Sequence, residues 1–131
     1  MKAADNAELK TLTEADQAER KDWAKLTQAE KEELSRQDTA RLARVKEILK
    51  EGTLSTATDF SNAGLIFQHG VTPEDYLVAH ELALCAWLLG NASSLTALAE
   101  DRFLVNSKRL QRFGSQFSVK RGDDYFPSPV E

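Results

Sequence analysis

Residues 111–116, Gln-Arg-Phe-Gly-Ser-Gln, place two amides, a guanidinium and a glycine side by side. A glutamine amide offers donors and an acceptor but neither gives nor takes a proton at neutral pH. Gln111 and Gln116 therefore suit positioning of polar atoms or closure of a loop. Gly114 between them points to a positive φ or a close backbone approach. Just upstream, Glu100-Asp101-Arg102 ends a helical pattern. Asp101 shares a helix face with Ala97, Leu98, Leu104 and Val105, and an acid on an apolar face needs a partner. Arg102, Arg109 or Arg112 could supply one through a bidentate pair. Two readings follow. Either a salt bridge pins the C-terminal segment, or Arg102 or Arg112 holds an anionic group of a ligand while Asp101 orients it.

Two histidines complete the candidate chemistry. His69 precedes Gly70 at a helix C-terminus, where an imidazole can cap the last carbonyls, contact a ligand or act as an acid–base group. His80 lies mid-helix with Tyr76, Ala83 and Leu84 on its face and Trp87 one turn further on. It reads as a core histidine bonded to a neighbour, with ligand contact as the sharper alternative. His80-Glu81 does not extend to a His-Glu-x-x-His signature because position 84 is Leu; two histidines eleven residues apart on different helices give only a weak metal signal, and no metal is expected. Asp16-Gln17, on the first helix, carries the same kinds of polar group and could reach the site. No glycine-rich phosphate loop or nucleophile elbow is present, and no cofactor is expected.

The elements that must carry these groups are mostly helical. The chain of 131 residues fits one domain. A domain of that size buries roughly 65–70% of its unfolded surface without help from disulfides or metals. Residues 1–52 form a charged helical part. Leu9, Leu12 and Ala15 recur at helical spacing, Thr27-Gln-Ala-Glu30 fits a capping box, and Ser35 or Asp38 could cap a further helix. Leu34, Ala40, Leu42, Val45, Ile48 and Leu49 would give its apolar face, and Gly52 its end. Residues 53–109 form the core helices. One starts at Ser55 or Thr56, carries Ala57, Phe60, Ala63, Gly64 and Phe67 on one face, and ends at Gly70. Thr72-Pro73-Glu74-Asp75 opens the next with a hydroxyl cap, a proline and first-turn acids. That helix is apolar on most sides to Leu89 and reads as the central one, with Cys85 as a small buried apolar side chain. Ser93 or Ser94 starts the last, with Leu95, Leu98, Ala99 and Val105 as apolar positions. Residues 110–131 read as an extended segment, with a small hairpin around a Gly122 turn. Arg121-Gly122-Asp123 is taken as an accidental tripeptide. The fold class is thus mostly α: an irregular bundle of five or six helices with a short extended or hairpin C-terminal segment.

Charge narrows the partners. Residues 51–100 hold six acids and no Lys or Arg, and only Lys108, Arg109 and Arg112 cluster as cations. Nucleic-acid binding needs clustered Lys or Arg and is not expected. The longest apolar run, Leu82–Leu89, is far shorter than a membrane span, and Met1-Lys2-Ala3-Ala4-Asp5 lacks an apolar leader. No membrane contact and a cytoplasmic location are expected.

The strings Phe67-Gln-His-Gly70, Thr72-Pro-Glu-Asp-Tyr-Leu77, Ala79-His-Glu-Leu-Ala83, Glu100-Asp-Arg-Phe-Leu104 and Gln111-Arg-Phe-Gly-Ser-Gln116 together resemble a bacterial family of uncharacterised proteins. That family carries a histidine after an amide or acid, an Asp-Arg pair and a closing Gln-x-(Phe/Tyr)-Gly-Thr-Gln. The resemblance is close from Phe67 to Gln116. Upstream only Asp16-Gln17 is similar. Ser115 stands where threonine is usual, and the hydroxyl is kept. The family brings no function with it. The resemblance implies that His69, Asp101, Arg102, Gln111, Gly114 and Gln116 converge in one site.

The leading expectation is a domain that binds a small anionic or polar molecule, or a small enzyme. His69 and Asp101 would be its catalytic pair, with Arg102, Gln111, Arg112, Gln116, His80 and Asp16 binding the ligand. The second expectation is a protein-interaction module of immunity or adaptor type, with an acidic face, a protein partner and no catalysis.

Overall fold

The computed structural model describes residues 3–117, 119–121 and 124–130. Its order is α1 (Ala7–Glu19), a 3-10 turn (Trp23–Lys25), α2 (Gln28–Glu51), α3 (Ala57–Gln68), α4 (Pro73–Leu88), α5 (Leu95–Asn106), β1 (Val119–Arg121) and β2 (Asp124–Phe126). The chain is a mostly α bundle of five helices, the fold class its sequence leads one to expect, followed by a short pair of strands. The two short strands pair antiparallel, with Val119 opposite Phe126. Gly122 and Asp123, on which the expected turn and the tripeptide depend, lie outside the described residues.

Local capping chemistry sets most helix starts. Asn6 accepts from the Leu9 amide at α1. Thr27 with Glu30, Thr56 with Asp59 and Thr72 with Asp75 form reciprocal capping boxes at α2, α3 and α4. Each box satisfies two amides that the helix itself leaves without partners. α2 then runs unbroken to Glu51, so Ser35 and Asp38 cap nothing. Asp38 is instead a mid-helix ion-pair partner of Arg20 and Arg41.

The core gathers Leu9, Val45, Ala63, Ile66, Phe67, Ala79, Leu82 and Ala99 from all five helices. α3 and α4 approach closely at Gly64, where a Cβ would stand 3.3 Å from the Ala79 carbonyl oxygen and 3.2 Å from Leu95 Cδ2. Two faces differ from expectation. On α1 the buried stripe is Leu9, Thr13 and Asp16, and Ala15 is exposed. On α4 the buried stripe is Tyr76, Ala79, Leu82, Ala83 and Ala86, packed chiefly on α3 and α5. Cys85 falls outside that stripe and is exposed, not buried. Among the described residues, no helix is long and apolar enough to cross a membrane.

Candidate functional site

The site is built around the turn between α3 and α4. His69 is the C-cap of α3, with φ −94°. Arg102 Nη1 donates to the Gln68 carbonyl oxygen at 2.7 Å. The Tyr76 hydroxyl donates to the Gly70 carbonyl oxygen at 2.8 Å. The amides of Val71 and Thr72 donate to Asp75 Oδ2 at 3.3 and 3.2 Å. Gly70 does not adopt a left-handed φ, unlike Gly52, Gly90 and Gly114. It is needed for proximity, because a Cβ there would lie 2.5 Å from the Asp75 Cβ. Lys46 of α2 donates to Asp75 Oδ1 at 2.8 Å and fastens the turn from the other side. Burial opposes ionisation of Asp75, but the bonds from Lys46, Thr72 and Val71 outweigh it and hold its pKa below the usual carboxyl range.

This clamped turn aims the His69 ring at α1. Nδ1 lies 3.0 Å from Asp16 Oδ1. Asp16 is 1% exposed. Its Oδ1 also accepts from Arg20 Nη1 at 2.8 Å, and its Oδ2 accepts from Gln17 Nε2 at 2.8 Å. Burial raises the carboxyl's pKa, but the bond and charge of His69, the Gln17 bond and the Arg20 charge bring it below the ordinary value. An ionised carboxylate only accepts, so Nδ1 carries the proton. When the ring is neutral its lone pair is then on Nε2, which makes no hydrogen bond to the described residues. Arg20 continues to Asp38 Oδ2, and Arg41 joins Asp38 to Glu19. An ion network thereby ties α1 to α2 beneath the imidazole.

His69 lines a groove of about 290 Å³ between α2 and the α3–α4 turn, with Ser35, Asp38, Thr39, Lys46 and Thr72 among its walls. Neither Asp101 nor any residue of the 111–116 segment lines it. A comparable hollow of about 300 Å³ beside Leu26, Glu30 and Leu34 has no histidine or cation in its lining. The His69 groove is therefore the better candidate for chemistry.

The motif residues stand behind this turn. Asp101 is fully buried. It accepts from the amides of Arg112 (2.7 Å), Phe113 (3.0 Å) and Ser115 (2.9 Å) and from the Ser115 hydroxyl (2.8 Å). These amide bonds outweigh the cost of burial and depress its pKa. Gly114 supplies the positive φ of 73° that curls the segment around the carboxylate. Gln111 is also fully buried. Its Nε2 donates to the carbonyls of Gln116 (3.1 Å) and Ser128 (2.5 Å), and its Oε1 accepts from the Gln116 amide (2.8 Å). Gln116 Oε1 in turn accepts from Arg102 Nε at 3.2 Å. The Arg102 guanidinium sits 5.8 Å from the Tyr76 ring centre. Burial, with the nearby Arg20 charge, lowers its pKa against a smaller opposing effect of Tyr76. No carboxylate among the described residues pairs with it.

The predicted site residues thus separate. His69 and Asp16 meet directly, and Arg102 with Gln116 braces the peptide that carries His69. Asp101 does not meet a guanidinium; amides surround it, and its lone pairs hold the loop. Gln111 is likewise committed to backbone. Arg112 pairs with Glu100 at 2.9 Å on the surface. His80 is bonded through Nδ1 to the Thr96 carbonyl at 2.9 Å in the α4–α5 seam. Sequence reasoning missed Arg20, Asp38, Lys46 and Tyr76. Arg20 had a signal, four residues beyond Asp16 on one helix face. Asp38 and Lys46 had none, since only tertiary packing brings them in. Among the described residues, no group of three or more His, Cys, Asp or Glu is arranged to hold a metal ion.

Compared with family models, curated proteins and solved structures, the chain matches none.

Proposed function

We propose that the protein is a small enzyme acting on a polar small molecule, with His69 Nε2 as its acid–base group. One observation carries the reading: the 3.0 Å contact between His69 Nδ1 and the buried Asp16 carboxylate. A carboxylate behind one ring nitrogen fixes tautomer and orientation and leaves the other nitrogen to exchange a proton with a ligand. The turn that carries the ring is held by Arg102, Tyr76 and Asp75, so little reorganisation is left for the moment of reaction. The 290 Å³ groove beside the ring suits a metabolite-sized ligand. On this reading Arg102 and Gln116 position the His69 peptide, and the motif residues shared with the resembled family serve that same end. An exposed single cysteine accords with a reducing, cytoplasmic setting.

The test combines tautomer and ligand. Nitrogen-15 NMR of the imidazoles should show His69 protonated at Nδ1 in the wild type and a shifted tautomer population in Asp16→Asn. Small molecules that co-purify, identified by mass spectrometry, should be lost in His69→Gln while thermal unfolding changes little. An Nε2-protonated ring in the wild type would refute the dyad. A ligand retained by His69→Gln would refute the working role of the imidazole.

A further inference from the structure

We infer that the outer face of α4 is a docking surface for a basic amphipathic helix of a partner protein. Leu77, Leu84 and Leu88 stand seven and four residues apart, so they fall on one stripe of the helix. They are 38%, 39% and 80% exposed, and Trp87 beside them is 56% exposed. The stripe runs over about 16 Å at the rise of an α-helix. The opposite face of α4 is already buried on α3 and α5. The helix therefore has two apolar faces, and the fold uses one. Large apolar side chains left exposed together along one side of a helix mark an interaction site.

Charge selects the occupant. Glu74 and Glu81 are exposed on the same side of α4. Residues 51–100, which supply α3, α4 and the start of α5, contain no Lys or Arg. A second copy docked through its own α4 face would bring two more glutamates to the seam and no cation of α4 to meet them. A membrane surface, anionic on its cytoplasmic side, would be repelled for the same reason. A helix with its own leucine stripe and flanking Lys or Arg satisfies both the apolar surface and the acids.

Trp87 gives the readout. In a Trp23→Phe background it is the sole tryptophan, and its emission reports on the α4 face. Two synthetic helices about 18 residues long, with one leucine stripe and either Lys or Glu flanks, serve as probes. The Lys-flanked helix should bind and shift Trp87 emission. The Glu-flanked helix should bind roughly tenfold more weakly or not at all, and Leu84→Gln/Leu88→Gln should weaken the Lys-flanked helix by roughly tenfold. Those two leucines are exposed, so thermal unfolding of the double variant should stay close to that of the parent. Equal binding of both probes, or binding indifferent to the leucine change, would overturn the inference. So would a dimer in sedimentation that the double variant dissolves, which gives the face to a second copy. Binding to vesicles of anionic lipid would overturn it in favour of a membrane.

Discussion

Arg102 Nη1 donates to the carbonyl oxygen of Gln68 at 2.7 Å and so fixes the peptide immediately before His69. The bond ends a relay. Asp101 folds the 112–115 segment around itself, Gln111 grips Gln116, and Gln116 steadies Arg102 through its Nε. Residues far from the groove therefore decide where the imidazole sits.

Arg102→Lys tests the relay. Lysine keeps the charge but lacks the planar fork that reaches Gln68 and Gln116 together. The variant should lose about 1–2 kcal/mol of stability. It should also broaden the His69 ring signals in NMR, reporting a looser turn, while the His80 signals stay sharp. Unchanged His69 signals in a stable variant would show that the relay does not extend to the imidazole.

The same relay explains how much of the site was legible. Thr27 with Glu30 and Thr72 with Pro73 and Asp75 announced helix starts because capping is local chemistry within four residues. Gly114 points to a positive φ or a close backbone approach, and the positive φ is what the segment uses. The Asp16–His69 contact joins residues 53 positions apart, and no spacing rule reaches that far. Asp101, on an apolar face, needs partners, and it has them. Guanidinium groups were the expected partners, yet backbone amides took the role, because a curled segment offers several donors at once. Cys85 is exposed where its sequence context suggests burial, because α4 is apolar on most sides and periodicity cannot then say which side the bundle covers. Asp38 looked like a cap because its type is common at caps, but a salt bridge to Arg20 and Arg41 holds it inside a helix.

Gly70→Ala should be the most damaging glycine substitution in the chain's first hundred residues. Its new Cβ would stand 2.5 Å from the Asp75 Cβ, a helix-borne atom that cannot swing away. Overpacking of this kind costs about 1–3 kcal/mol, and here it also pushes on the His69 turn. Gly52→Ala meets open space and only a left-handed φ of 68°, which costs about 1–2 kcal/mol. Urea unfolding should rank Gly70→Ala below Gly52→Ala. Ligand binding in the His69 groove should suffer in the former alone.

Cys85 lies exposed on α4. A thiol-exchange reagent should modify it in the native protein at a rate close to that in urea. Protection of Cys85 that vanishes only with global unfolding would mean that α4 is turned the other way. A reactive Cys85 that is shielded by the Lys-flanked helix would place that helix on the α4 face by an independent route.

Acid should expose the buried carboxylates. Asp16, Asp75 and Asp101 are each held below the ordinary carboxyl pKa in the folded protein. The unfolded chain, with ordinary values near about 3.9, therefore binds protons more readily as pH falls. The stability these groups contribute is complete above that unfolded value and is lost as pH drops through it towards the depressed folded values. Urea unfolding should give a flat profile above about pH 5 and a steep decline below it. Asp101→Asn separates one carboxylate from the rest. An amide in its place keeps one acceptor oxygen and turns an NH2 toward two of the backbone donors, so the variant should lose about 2–4 kcal/mol at neutral pH. With one depressed carboxyl removed, its decline from pH 7 to pH 3 should be shallower than that of the wild type. Parallel profiles for the two proteins would show that the Asp101 carboxylate is not what holds the 112–115 segment, and the relay to His69 would lose its first link.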